Sequence, residues 1–135
     1  MMKPQLFAFP FLLLLLAACA PVNVSIPEPT NPVGGQACLG AFLVDHANPR
    51  GARITDLSPG GPLELARVRV NDVIVAINGY ATPSVEYVRI ELMRYRPGEV
   101  VSVRHARERL YGLYWDYYNT PVRLGESRQG ICVAR

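Results

Sequence analysis

Hydrophobic and polar positions divide the chain into stretches of different period. Leu6 to Leu16 form an apolar run broken only by Pro10. Between residues 20 and 37 periodicity disappears, and Pro21, Pro27, Pro29, Pro32, Gly34 and Gly35 predict an extended linker. From Leu39 onward, short apolar runs recur between turn residues, which is the signature of strands. Leu39 to Val44 predicts one strand, bounded by Gly40 and by Asp45-His46-Ala47-Asn48-Pro49. Ala52 to Leu57 predicts a second, running into Ser58-Pro59-Gly60-Gly61-Pro62. Pro62 suits the first turn of a helix, where its missing N–H is not needed, and Leu63, Leu65, Ala66 and Val68 give a short helical piece. Asp72 to Ile77 predicts a strand that enters Asn78-Gly79, a strong hairpin signal.

Further along, Thr82 and Pro83 are placed to start a second helix as N-cap and N1. Val85, Val88, Leu92 and Tyr95 then recur at helical spacing, with Glu86 in the first turn and Arg94 in the last, as the helix dipole favours. Pro97-Gly98 ends the helix, and Val100 to Val103 predicts another strand. In the tail, Leu110, Leu113, Tyr114, Tyr117 and Tyr118 fit a helical stripe, yet aromatic and β-branched enrichment from Tyr111 to Leu124 favours a strand. Strand is the expectation there, and again for Ile131 to Ala134.

The leading run changes the picture of where the chain works. Lys3 followed by a short apolar core is the layout of an export signal, and it falls short of the roughly 20 apolar residues that a spanning helix needs. Leu16-Ala17-Ala18-Cys19 resembles the lipobox of bacterial lipoproteins, an ordinary small-residue cleavage site being the alternative. The resemblance implies that residues 1–18 are a signal peptide and that Cys19 is the acylated first residue of the mature chain. Residues 19–37 are then the lipidated N-terminus and flexible linker, and 38–135 the folded part. One acyl chain binds a bilayer only reversibly whereas two anchor it. Ala20 after the cysteine favours the outer membrane, so the expected location is the bacterial cell envelope, facing the periplasm and held by lipid.

Composition narrows the choice further. A chain of 135 residues with a leader and linker has room for one core. The formal net charge is only +3, and no dense Lys/Arg tract exists, which argues against nucleic acid as a partner. Arg104, Arg107 and Arg109 read as a solvated strand end. Of the three cysteines, Cys19 is assigned to lipid, which leaves Cys38 and Cys132 near the two ends of the folded part. They can pair as a disulfide in an oxidising compartment or remain two buried thiols.

The order of these elements resembles a PDZ domain of the bacterial, periplasmic-protease type over residues 38–104. Three segments carry the likeness: Gly51 to Pro62, Val70-Asn71-Asp72-Val73-Ile74-Val75-Ala76-Ile77-Asn78-Gly79, and Pro97-Gly98-Glu99-Val100. The resemblance implies an α+β fold, a small antiparallel barrel or sandwich of five to six strands with two helices. It also implies binding of a chain end or extended segment as an added strand. The carboxylate-binding loop of the family matches Leu39-Gly40-Ala41-Phe42, although Ala41 is smaller than usual. Independently, a terminal carboxylate needs convergent backbone N–H groups, and a glycine such as Gly40 permits that turn. The expected side-chain pocket comprises Leu39, Phe42, Val88 and Leu92, with Ser84 or Val85 meeting the residue two before the end.

Catalysis is not expected. His46 falls in a predicted loop and His105 at a strand end, and neither has a motif-placed nucleophile. Asp45 beside His46 does not make a metal site, and no cofactor is implied. The cluster Tyr111, Tyr114, Trp115, Tyr117 and Tyr118 divides two expectations. One is a lipid-anchored module that binds a protein or peptide partner in the envelope. The other is a structural lipoprotein of an envelope or secretion complex with a vestigial groove, docking through Trp115 and Tyr117.

Overall fold

The computed structural model describes residues 35–135; the expected signal peptide, Cys19 and the expected linker through residue 34 lie outside the described residues. Among the described residues, nine strands and two helices follow in the order β1 (Ala37–Cys38), β2 (Ala41–Ala47), β3 (Arg50–Leu57), α1 (Pro62–Leu65), β4 (Val73–Ile77), β5 (Tyr80–Ala81), α2 (Val85–Leu92), β6 (Val100–Arg109), β7 (Tyr114–Arg123), β8 (Gly125–Arg128) and β9 (Ile131–Val133). One sheet runs β2-β3-β4-β6-β7 with β5 paired to β4, and a second runs β1-β8-β9. All pairs are antiparallel. Five of the strands expected from sequence are β2, β3, β4, β6 and β7 of the larger sheet, and the one expected at Ile131 to Ala134 is β9 of the smaller. The smaller one arises because the start and the end of the folded part pair with each other.

The larger sheet curls without closing into a barrel. At one end His46 of β2 meets Trp115 of β7 edge-on, with ring centroids 5.5 Å apart. Its concave side holds the core, where Ile54, Ile74, Ile77, Val103 and Val122 are fully excluded from solvent together with Leu63 of α1. Each such side chain contributes about 1.5–3 kcal/mol by leaving water. The Asn78-Gly79 hairpin forms as its residues require, both at positive φ (48° and 81°). Pro62 opens α1 at its first turn.

Three expectations are corrected. The second helix begins two residues late: Thr82 is drawn fully into the core and donates its N–H to Val75 O at 2.9 Å. Ser84 is the N-cap instead, extended at φ −152° and accepting from Tyr87 N–H. That helix also stops before Tyr95. The strand from Val100 runs on to Arg109, because its pairing with β7 continues through ten residues of register. His105 is consequently mid-strand and buried rather than at a strand end.

Candidate functional site

β2 is an edge strand, and its register reveals where its unpaired groups point. In an antiparallel pair, opposed residues alternate between exchanging both hydrogen bonds and exchanging none. Ile54 directs its N–H to Asp72 O at 2.9 Å and accepts Asn71 N–H at 2.8 Å, both on the β4 side. Leu43, opposite Ile54, therefore turns its N–H and C=O away from β3, toward open space beside α2. Phe42 O instead faces β3, where it accepts the Thr55 hydroxyl at 3.2 Å, so Ala41 shares the outward orientation of Leu43. A row of unpaired backbone donors and acceptors thus faces the helix.

The loop before β2 ends this row. Gly40 sits at φ +72°, a conformation that costs an L side chain energy, and a Cβ there would approach Pro62 Cδ to 2.9 Å. The carbonyls of Leu39 and Gly40 accept from Leu63 N–H (3.1 Å) and Ser58 N–H (2.9 Å). Their own N–H groups have no acceptor among the described residues. In a trans peptide unit the carbonyl of one residue and the N–H of the next point oppositely, so anchoring these carbonyls turns the Gly40 and Ala41 amides the other way, toward a cavity of about 310 Å³. At the opposite end, Asp45 Oδ1 accepts Val85 N–H at 2.8 Å and ties the start of α2 to β2. Between glycine loop and tie, the edge from Ala41 to Asp45 offers about 16 Å, room for four or five extended residues.

The residues anticipated from sequence fall into three groups. Ala41, Phe42 and Leu92 line the cavity together with Gly40. Leu39 and Val88, by contrast, are core residues with side chains sealed beneath it. Leu39 lines the cavity through its backbone, and Val88 is a floor support. Ser84 is occupied as the helix cap and Val85 by its bond to Asp45. Phe42 is 64% exposed, on the outer face of β2. Cys38 and Cys132 form a disulfide beside the cavity, with Cα atoms 5.9 Å apart. Trp115 is half-buried against His46, whereas Tyr117 is exposed under the Arg104 guanidinium, 5.2 Å from its ring centroid.

Sequence reasoning missed Arg89, Ser127 and Gly130, which also line the cavity. Arg89 lies between Val85 and Leu92 on the helix face toward β2, and its spacing was the available signal. Its contact with Glu86 is long, 3.7 Å, between exposed groups, leaving the guanidinium available at the rim. Ser127 and Gly130 carried no signal, since only tertiary pairing brings them there.

A second polar cluster lies away from the cavity, on the core-facing side of β6 beside Val103. Asp72 and His105 are 1% and 2% exposed. Arg107 holds Asp72 by two hydrogen bonds of 3.0 and 2.9 Å, which corrects the reading of that arginine as part of a solvated strand end. His105 Nδ1 lies 2.9 Å from Asp72 Oδ2, off the line of a good hydrogen bond, while Nε2 is 2.8 Å from Thr120 Oγ1. Burial pushes the Asp72 carboxyl up, but His105, Arg107 and the Arg69 N–H outweigh it and bring the pKa down to about 2. An acid, imidazole and hydroxyl in sequence suggest hydrolytic chemistry, yet the ring is closed over by Tyr118, 5.5 Å away and nearly parallel. This cluster joins β4, β6 and β7.

An unpaired strand edge facing a helix, ended by a glycine loop with inward amides, defines a module built to accept an extended guest backbone. Residues 31–104, more than half of the chain, match the family model of the PDZ domain, and the chain belongs to the PDZ domain family, whose members bind protein or peptide segments. No curated protein matches the chain. Among solved structures, it is similar to a serine endoprotease from Yersinia pestis (22% identity, TM-score 0.56) and to the HtrA-type protease AlgW with a decapeptide (17%, 0.59). In each case 69% of this chain covers 30% of the protease. The HtrA3 PDZ domain bound to a phage-derived ligand is also similar, at 12% identity and TM-score 0.54, over 68% of this chain and 88% of that domain.

Proposed function

We propose that this chain is a lipid-anchored envelope module that recognises the end, or an extended segment, of a partner protein by adding it as a strand to β2, without chemistry of its own. The observation that carries the reading is the outward row of Ala41 and Leu43 backbone groups, continuous with the unpartnered Gly40 amide. Strand addition satisfies these groups through main-chain bonds, and the cavity then selects side chains. Anchoring through Cys19 would hold the groove near the envelope partner, and the lipobox-like Leu16-Ala17-Ala18-Cys19 supports it.

Titrating free-carboxylate peptides into the full chain tests the groove: saturable amide shifts are expected at Gly40, Ala41 and Leu43, and their absence across a broad peptide set would sink the reading. Incorporation of labelled palmitate into the wild type, lost in Cys19→Ser, tests the anchor. A second reading, a structural subunit that docks through its aromatic segment, is favoured by the exposure of Leu110, Tyr111, Leu113, Tyr114 and Tyr117 on the β6–β7 hairpin. If it holds, replacing Trp115 and Tyr117 abolishes partner capture while Gly40→Trp leaves capture intact.

A further inference from the structure

The family match ends at residue 104, yet the cavity does not. Its wall beyond the glycine loop is made by Ser127, Gly130 and Cys132, from a part of the chain that the family model leaves uncovered. This wall is held firmly. Cys132 is bonded to Cys38, immediately before Leu39, and β8 pairs with β1. Glu126 accepts the Gly35 N–H at 2.8 Å and the guanidinium groups of Arg128 and Arg135 at 2.7 and 3.2 Å, and that hydrogen bond and those charges hold its carboxyl below the usual range. Gly125 is packed so closely that a Cβ would come within 3.0 Å of Pro62 and 3.1 Å of Cys132 Sγ. The hairpin formed by β8 and β9 is therefore locked to the same loop whose amides turn toward the cavity.

We propose that this hairpin is a specificity wall for the ligand's last side chain. A chain end whose carboxylate meets the Gly40 and Ala41 amides would place that side chain between Ala41, Leu92 and the Cys38–Cys132 bridge, with Ser127 closing the far side. The proposal rests on the groove reading above and deepens it. Three of these surfaces are apolar, and Ala41 adds depth where a larger residue would fill it. The occupant is thus a chain ending in a bulky apolar residue such as leucine or phenylalanine, and the size limit is set by Ser127. The bridge makes the wall dependent on oxidation: reducing it frees β9 from the loop.

The test displays random carboxy-terminal heptapeptides on phage against the immobilised full chain, as wild type and as Ser127→Phe. The best peptide is then synthesised with phenylalanine, leucine, valine or alanine at its last position and titrated into each. Wild type should favour leucine or phenylalanine, and Ser127→Phe should shift the preference toward alanine or valine by at least tenfold. Cys38→Ala/Cys132→Ala should flatten the preference below threefold at a temperature where melting shows it folded. Should Ser127→Phe not fold, Ser127→Val carries the same comparison with a smaller shift expected. An unchanged ranking, within twofold, in Ser127→Phe and in the cysteine variant overturns the proposal while leaving the groove reading in place. Enrichment of no chain ends by the wild type overturns both.

Discussion

The larger sheet has two edges, and they are finished differently. β2 ends in a glycine loop, faces a helix and presents Ala41 and Leu43 backbone groups with nothing in their way. β7 is longer, and its outward positions are obstructed. Ser102 exchanges hydrogen bonds with Asn78 on the β4 side, donating to its side chain at 2.7 Å and accepting its N–H at 2.8 Å. Pro121, opposite Ser102, therefore has its missing N–H on the outer side, where it removes an edge donor without costing a ladder bond. Arg104 covers Tyr117, and Arg109 pairs with Asp116 at 2.7 Å. Charge and proline at a sheet margin suppress unwanted pairing. An exposed edge is not by itself a binding site. One edge is kept open and shaped, and the other is blunted.

The largest expected effect concerns the blunted side, where Asp72→Asn removes the charge that Arg107 and His105 surround. Breaking one partner of a buried pair costs about 3 kcal/mol or more, read as a lower denaturation midpoint. Peptide binding well below that midpoint should be unchanged, because the groove lies at the other edge; a parallel loss of binding would break the separation of the two. Acid tests the same cluster more gently. Asp72 has a pKa of about 2 when folded against an ordinary 3.8, so its contribution, about 2 kcal/mol, is complete above the unfolded value. It declines as pH falls from about 4 toward 2, and Asp72→Asn should lose that part of the acid dependence in equilibrium unfolding.

On the open edge, Leu43→Pro deletes an outward N–H while sparing the β3 ladder. Peptide affinity should fall more than tenfold, with a smaller loss of stability from the altered side chain, as separate titration and melting would show. The smallest effect is expected from Pro121→Thr, which restores a donor to β7. Weak, concentration-dependent self-association should emerge in sedimentation, and strictly monomeric behaviour at high concentration would show that charge alone suffices to guard that edge.

Local chemistry made much of the fold legible. The Asn78-Gly79 turn, the proline at the start of α1, the β-branched run of β4 and the aromatic strand β7 follow from backbone preferences that act over a few residues. Cys38 and Cys132 were legible as possible partners from their number and from the compartment expected for the chain. The groove was legible in part: Gly40, Ala41 and Leu92 stand where the spacing suggested. Leu39 and Val88 do not, because an apolar position on an amphipathic element reads the same whether it faces a core or a cavity.

Most strands, turns and helices could be placed roughly from residue order alone, since they depend on dihedral preferences and on the alternation of apolar residues, whereas the ends of α2, the length of β6 and the pairing of β1 with β8 could not. Which edge stays open emerges from the folded arrangement, because it depends on how each hydrogen bond is directed across a register of distant residues. The same arrangement brought Asp72 to His105 and Arg107, and Ser127 to Leu92, across long separations along the chain. Contacts of that range are set by how the sheets stack and pair, a property no single segment carries.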